Sequence, residues 1–208
     1  MKGRLVVGLD LSLTATGIAK VHSNGAIEVE RVVSKPPKPP EGHKHPTLWQ
    51  RQARLSRLAS DIVAVVQRAG LPTIVVIEGP AYGSKMGSMH DRSGLWWLVV
   101  EELLNLAVPV AEVSPTARIR YAMGIGRGSK EAVMAAAIRR YGQLVEIHDD
   151  NEADAILLAA MGAQRFGIPV TVPPSAHSGA IESVVWPALS EPVTMRLETA
   201  VVGSEAEL

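Results

Sequence analysis

Cysteine is absent from the 208 residues. That excludes a disulfide framework, a thiol nucleophile and any zinc site built on Cys ligands, and it suits a reducing cytoplasm. Long hydrophobic runs are missing as well. The most apolar stretch, residues 95–100, is closed by Glu101 and Glu102, well short of a membrane span. No signal-peptide core precedes the first strand-like run. The expectation is a soluble, cytoplasmic protein with no membrane partner. Net charge is missing too, because 21 Lys and Arg offset 21 Asp and Glu. The balance is uneven along the chain. From residue 167 onward Glu182, Glu191, Glu198, Glu205 and Glu207 face Arg196, a net −4, so residues 1–166 carry +4. A mildly basic body with an acidic tail is compatible with a nucleic-acid partner without demanding one.

What the chain does have is a β-rich apolar run, Arg4-Leu5-Val6-Val7-Gly8-Leu9-Asp10, that ends on a carboxylate. An ionised Asp in apolar surroundings needs a partner, and a cation is a natural one. By itself Asp10 reads as a turn cap. The small, hydroxylated run that follows leads into a second apolar segment. Residues 4–10 and 16–22 therefore form a tight hairpin with Asp10 at its mouth, and residues 26–33 alternate as a third antiparallel strand. Thr73-Ile74-Val75-Val76-Ile77-Glu78 repeats the theme, a β-branched run closed by an acid and then Gly79-Pro80. A strand flanked by helices in this way is buried and parallel, and ligands collect at the carboxyl ends of such strands. Two strands each delivering an acid there argue for functional carboxylates rather than caps.

Residues 34–46 are too rich in proline for a regular element. They form a basic, semi-extended loop, either solvated surface or a segment that contacts phosphate or a partner. Thr47 and Gln50 make a capping box for a helix with Leu55, Leu58, Ile62, Val65 and Val66 at helical spacing, ending near residues 69–70 with Pro72 beyond. Arg51, Arg54 and Arg57 cover its other faces. Residues 81–93, with Tyr82, Lys85, His90 and Arg92, read as a Gly-, Ser- and His-rich loop beside the site. Residues 94–107 read as an apolar helix. Its adjacent Trp96 and Trp97 point about 100° apart, one into the core and one toward a second neighbour, either more core or a homodimer interface.

Residues 108–113 are a short strand, and Ser114-Pro115 opens a helix. The run Gly124-Ile125-Gly126-Arg127-Gly128-Ser129-Lys130 lacks the preceding strand of a dinucleotide fingerprint. Its amides, with Arg127 and Lys130, can still hold a phosphate. Residues 131–141 are a helix and 144–147 a brief extended piece. The last strong helix opens near Asp149, where Asp149 and Glu152 make a capping box, and runs to residue 165. Capping does not account for Asp154, which sits among Ala, Leu and Ile. Asp150 and Asn151 share a face with it at i,i+4 and i,i+3. Residues 167–208 read as mostly irregular, with a short element near 180–186.

Asp10, Glu78 and Asp154, with Asp150 or Asn151, form an oxygen-rich, sulfur-free set suited to Mg²⁺ or Mn²⁺. Two such ions clamp the attacking water and the leaving oxygen of a phosphodiester, and Lys130 adds electrostatic stabilisation.

In this order, "VVGLDLSLTATGIA", "TIVVIEGP", "GIGRGSKEAV" and "DDNEADAILLA" resemble the RuvC-type Holliday junction resolvases, in the divergent form carried by bacteriophages. The resemblance spans about residues 4–165. It implies an α/β, ribonuclease-H-like mixed sheet, antiparallel in its first three strands and then parallel, flanked by helices. That nuclease domain would occupy residues 1–166, followed by a Pro-rich acidic tail, 167–208. It also implies a homodimer that nicks a four-way DNA junction symmetrically, using two Mg²⁺ ions per site (Mn²⁺ substituting) and no nucleotide cofactor. By motif, Asp10, Glu78 and Asp154 match the catalytic acids and Lys130 the lysine after the glycine-rich loop. DNA contacts are expected from Ser12, Thr14, Tyr82, Lys85, Arg118, Arg127 and Lys130, with Tyr82 one residue off the register of the family's junction-wedging aromatic. The acid that the family carries three residues before the last falls on Asn151, which offers an oxygen but no charge, so either Asn151 or Asp150 is the fourth metal ligand. Rival readings are a flap- or fork-cutting nuclease of the same fold, and a junction-binding protein with a degraded site. A sugar-kinase-like ATPase, which shares the "GxDxSxT" pattern, needs two copies of the fold, and the chain is too short for two.

Overall fold

The computed structural model describes residues 4–80, 88–174, 177 and 179–189. The opening apolar run is strand β1 (Leu5–Asp10), returned by a tight turn into β2 (Ala15–His22). Hydroxyls close that turn: the Ser12 amide donates to Thr16 Oγ1 at 3.1 Å, and Thr16 Oγ1 donates to the Ser12 carbonyl at 3.0 Å. Next come β3 (Ile27–Val33) and α1 (Leu48–Gln67), which begins with the Thr47–Gln50 capping box formed in both directions. The chain continues through β4 (Ile74–Glu78), α2 (Met89–Asn105), β5 (Val110–Val113), α3 (Pro115–Met123), α4 (Lys130–Tyr141), α5 (Asp150–Arg165) and the single turn α6 (Gly179–Glu182). The five strands form one sheet in the order β3-β2-β1-β4-β5. β1, β2 and β3 pair antiparallel, while β1–β4 and β4–β5 pair parallel.

Side chains alternate across a strand, so a sheet covered on both faces buries every residue. Leu5, Val7, Leu9, Val75 and Ile77 pack on one face with α1 and α2, while Val6, Ile74 and Val76 pack on the other with α3, α4 and α5. On that second face α5 comes down almost backbone on backbone. A Cβ on Gly8 would lie 2.1 Å from the Ala155 carbonyl oxygen and 2.4 Å from the Ala159 nitrogen. A Cβ on Gly17 would lie 2.1 Å from the Asn151 carbonyl oxygen. Only glycine permits this approach.

Three stretches differ from the sequence expectation. Helix α2 starts at Met89 rather than residue 94, and its first turn is tied to α1 by an ion pair between Asp91 and Arg51. Residues 144–147 form no strand. The amides of Leu144 and Val145 turn back to the Tyr141 carbonyl at 2.8 and 3.1 Å, finishing α4 instead of joining the sheet. The packed body also continues past residue 166. Ile168, Ala180 and Val184 are buried in the α3–α5 core, Trp186 meets Phe166 edge to face, and the Tyr141 hydroxyl donates to the Thr171 carbonyl at 3.0 Å. No helix among the described residues is long and apolar enough to cross a membrane.

Gly8→Ala is expected to lower the unfolding free energy by about 1–3 kcal/mol, the scale of overpacking a core. Gly179→Ala, where nothing stands within 4 Å of the added carbon, is expected to leave it unchanged. Urea denaturation of both variants decides, and equal midpoints would contradict the close contact.

Candidate active site

β1 and β4 run parallel with Leu9 opposite Ile77, so the next residues, Asp10 and Glu78, leave the sheet side by side at its carboxyl end. Across the hairpin Asp10 faces Gly17, the glycine on which the first turn of α5 rests. That contact carries Asp154, one turn further along α5, over the same end of the sheet. The glycine contacts, rather than any side-chain bond, set the height of the third carboxylate.

A cation lies among these acids. Arg118, from α3, is 7 % exposed. Its Nε donates to Glu78 Oε2 and its Nη1 to Asp154 Oδ1. Burial works against the guanidinium charge, but Glu78 first, then Asp154 and Asp10, outweigh it and hold the group charged. The carboxyls show the opposite strain. Burial, and then the charges of Glu78 and Asp154, push Asp10 well above the usual carboxylate range, with Arg118 and Lys130 pulling the other way. Burial lifts Asp154 to about 7 against the pull of Arg118. On the rim Lys130 Nζ pairs with Asp150 Oδ2 at 2.5 Å, which raises the lysine and lowers the carboxyl.

The structure thus brings Asp10, Glu78 and Asp154 together, with Lys130 and Asp150 paired beside them. Asn151 lies in the first turn of α5 with its main-chain carbonyl against Gly17. Ser12 lines a cavity of about 200 Å³ next to Asp10 and Glu78. Thr14 is exposed and close to Ser12, with 3.2 Å between the hydroxyls, and Arg127 is exposed on the glycine-rich loop. Arg118, expected at the DNA surface, is instead turned inward onto the acids. Tyr82 and Lys85 lie outside the described residues.

Two features were not anticipated. The cavity is also lined by Met89, Arg92 and Trp96 from α2, and the Trp96 indole N–H donates to the Glu78 carbonyl at 3.0 Å. The signal was present, since Met89, Arg92 and Trp96 fall at i, i+3 and i+7 on one helical face. Arg118 likewise shares a face with the buried Tyr121 and Ala122 at i+3 and i+4.

Carboxylate oxygens in this setting suit a hard divalent cation, and the repulsion that lifts Asp10 marks a demand for positive charge. As placed, however, no three His, Asp or Glu side chains among the described residues form a ligand group for a metal ion. Between Glu78 and Asp154 the positive charge is the Arg118 guanidinium.

No protein-family model and no curated protein matches the chain. Solved structures do. The chain is similar to the RuvC structure of Thermus thermophilus, with a TM-score of 0.59, 20% identity, and 81% of this chain and 99% of that one covered. It is similar also to T. thermophilus RuvC in complex with a Holliday junction substrate, with a TM-score of 0.60, 18% identity and the same coverage, 81% and 99%. The mixed sheet and its flanking helices are the ribonuclease-H-like fold of RuvC.

Because Asp10 and Asp154 titrate above their unfolded values, the folded state keeps protons that the unfolded chain releases. Their stabilising contribution is complete below the unfolded carboxylate range, near about 4, and is lost as pH rises through about 7. The melting temperature of metal-free protein is therefore expected to fall between about pH 4 and 7, and less steeply in Asp154→Asn. Calorimetry across that range measures it, and equal slopes would contradict the assignment.

Proposed function

We propose that this chain is a structure-specific DNA endonuclease that resolves four-way junctions by divalent-metal-dependent phosphodiester hydrolysis, acting as a homodimer. The observation that carries the reading is the convergence of Asp10, Glu78 and Asp154 at the carboxyl end of a RuvC-like sheet. These acids, with Asp150 or Asn151, would hold Mg²⁺ or, in its place, Mn²⁺. The bound cation supplies charge neutralisation and water activation. Burial of the acids lowers the local dielectric, so each fixed charge acts more strongly on a phosphate than it would in water. Lys130, exposed on the rim, is within one side-chain rotation of solvent and stabilises phosphate charge. Arg127, Ser12 and Thr14 flank the same opening as contacts for the DNA backbone, and backbone contacts fix register without reading sequence. The neighbour in complex with a junction substrate supports branched DNA as the ligand class.

Symmetric nicking of a twofold junction calls for two identical sites. An exposed apolar face supports such pairing. Leu48, Trp49 and Trp97 are 76%, 77% and 65% exposed, and a groove beside them is lined by Leu55 and Leu98. Large apolar residues gathered in the open mark interaction surfaces.

One observation favours a second reading, a protein that binds junctions without cutting them. Arg118 engages two of the three acids, and Asn151 adds no charge. Nicking of a mobile four-way junction, against linear, forked and flap DNA in Mg²⁺, separates the possibilities for wild type, Asp10→Asn and Asp154→Asn. Paired symmetric nicks on the junction are expected, slowed by roughly 10²–10³-fold or more in both variants, the scale of losing one preorganised charge. Equal cutting of forks and flaps would point to a broader branched-DNA nuclease. Tight junction binding without cutting in either ion would establish the second reading. Trp97→Glu is expected to shift the sedimentation coefficient from dimer to monomer with the circular dichroism unchanged, and a monomeric wild type would contradict the pairing.

A further inference from the structure

We infer that Arg118 is a built-in cation of this site that takes the place of one divalent ion, so that each chain binds a single Mg²⁺ or Mn²⁺. The inference rests on the metal-dependent reading above and gives it a stoichiometry.

Charge balance is the first argument. The charges that act on Asp10 are those of Glu78, Asp154, Arg118 and Lys130. Lys130 is already paired with Asp150 at 2.5 Å, both more exposed than the inner groups, and together they are neutral. That leaves three carboxylates and one guanidinium inside, a net charge of −2, which one divalent ion balances. A second ion would leave an excess of two positive charges in a buried place, and uncompensated buried charge is costly. Asn151, where a carboxylate would raise the demand, contributes none.

Geometry is the second. The guanidinium is a rigid fork of donors suited to bridging carboxylates, and it never loses its proton. Here it uses separate nitrogens on separate acids, Nε on Glu78 and Nη1 on Asp154, and occupies one oxygen of each. Within the described residues, Glu78 Oε1, Asp154 Oδ2 and both oxygens of Asp10 accept no hydrogen bond from a side chain. Those oxygens are the ones a hard cation would use. The arginine is also firmly rooted. Its amide donates to the Ser114 carbonyl at 3.1 Å, and Ala117, Tyr121 and Ala122 around it are buried. Pro115 at the start of α3 and the Ser114 cap fix the helix that presents it.

The test counts Mn²⁺ bound to the metal-stripped full chain, without DNA, by electron paramagnetic resonance and isothermal titration calorimetry. Wild type, Arg118→Met and Arg118→Lys are compared, with circular dichroism to establish folding. One Mn²⁺ per chain is expected for wild type and for Arg118→Lys. For Arg118→Met the expectation is two, or one held about tenfold or more tighter, the scale on which a ligand's neighbours tune metal affinity. Two ions in wild type would overturn the inference while leaving the metal-dependent reading intact. No binding at millimolar Mn²⁺ would overturn both. Unchanged number and affinity in a folded Arg118→Met would overturn the inference alone. Should Arg118→Met fail to fold, the wild-type count decides by itself.

Discussion

Helix α5 lies against β1 and β2 where two side chains are missing, at Gly8 and Gly17, and the remainder of the architecture is arranged around that contact. Its own surface is made to fit, with Ala155, Ala159 and Ala160 fully buried and nothing larger at the closest points. A helix held by contacts of this kind cannot slide or lift without a clash or a void, because protein interiors are packed to crystal-like density. Side-chain ties secure its first turn from the other side. Arg31 on β3 meets Asp149 at 2.5 Å and Glu152 at 3.2 Å, joining the helix start to the far strand of the hairpin. The catalytic geometry is thus a by-product of packing. Asp154 is where it is because α5 has no other place to rest.

Bringing three acids into one dry corner has an electrostatic consequence that runs through the site. Without a cation the acids hold protons, and with one they become its ligands. The two states compete for the same oxygens. Arg118 satisfies part of this demand permanently, and Lys130 satisfies Asp150 at the rim. The strain visible in the raised carboxyl groups is of the sort that collects where chemistry is done, and a purely structural ion-pair network would be expected to relieve it more completely.

Much of this was legible before any coordinates. Both acid-terminated strands announced themselves, because a buried strand is a short apolar run and Asp10 and Glu78 each close one. The Thr47–Gln50 box and the split roles of Trp96 and Trp97 were also readable from local spacing. What escaped depended on distant parts of the chain. The start of α2 was hidden by the Gly-, Ser- and His-rich composition around it, although Met89, Arg92 and Trp96 keep helical phase. Arg118 was taken for a surface group, as most helical arginines are. Its inward turn depends on Glu78 and Asp154, 40 and 36 positions away in sequence. Asp149 caps α5 as expected, but Glu152 does not complete the box. It accepts instead from the His148 amide at 2.7 Å while facing Arg31, a partner on another element. The burial of Ile168 and Val184 likewise follows from a core that only the folded chain assembles.

The sheet ends on β3 at one margin and β5 at the other. β3 carries Glu28, Glu30 and Arg31, two of them engaged by Lys20, Arg68 and Asp149, and β5 is only four residues long and follows Pro109. Short or charged margins are poor templates for another strand. Growth of the sheet from one copy to the next, the usual route to fibrils and swapped assemblies, is therefore closed at both ends. Association is left to the helical faces, where it can stop at two.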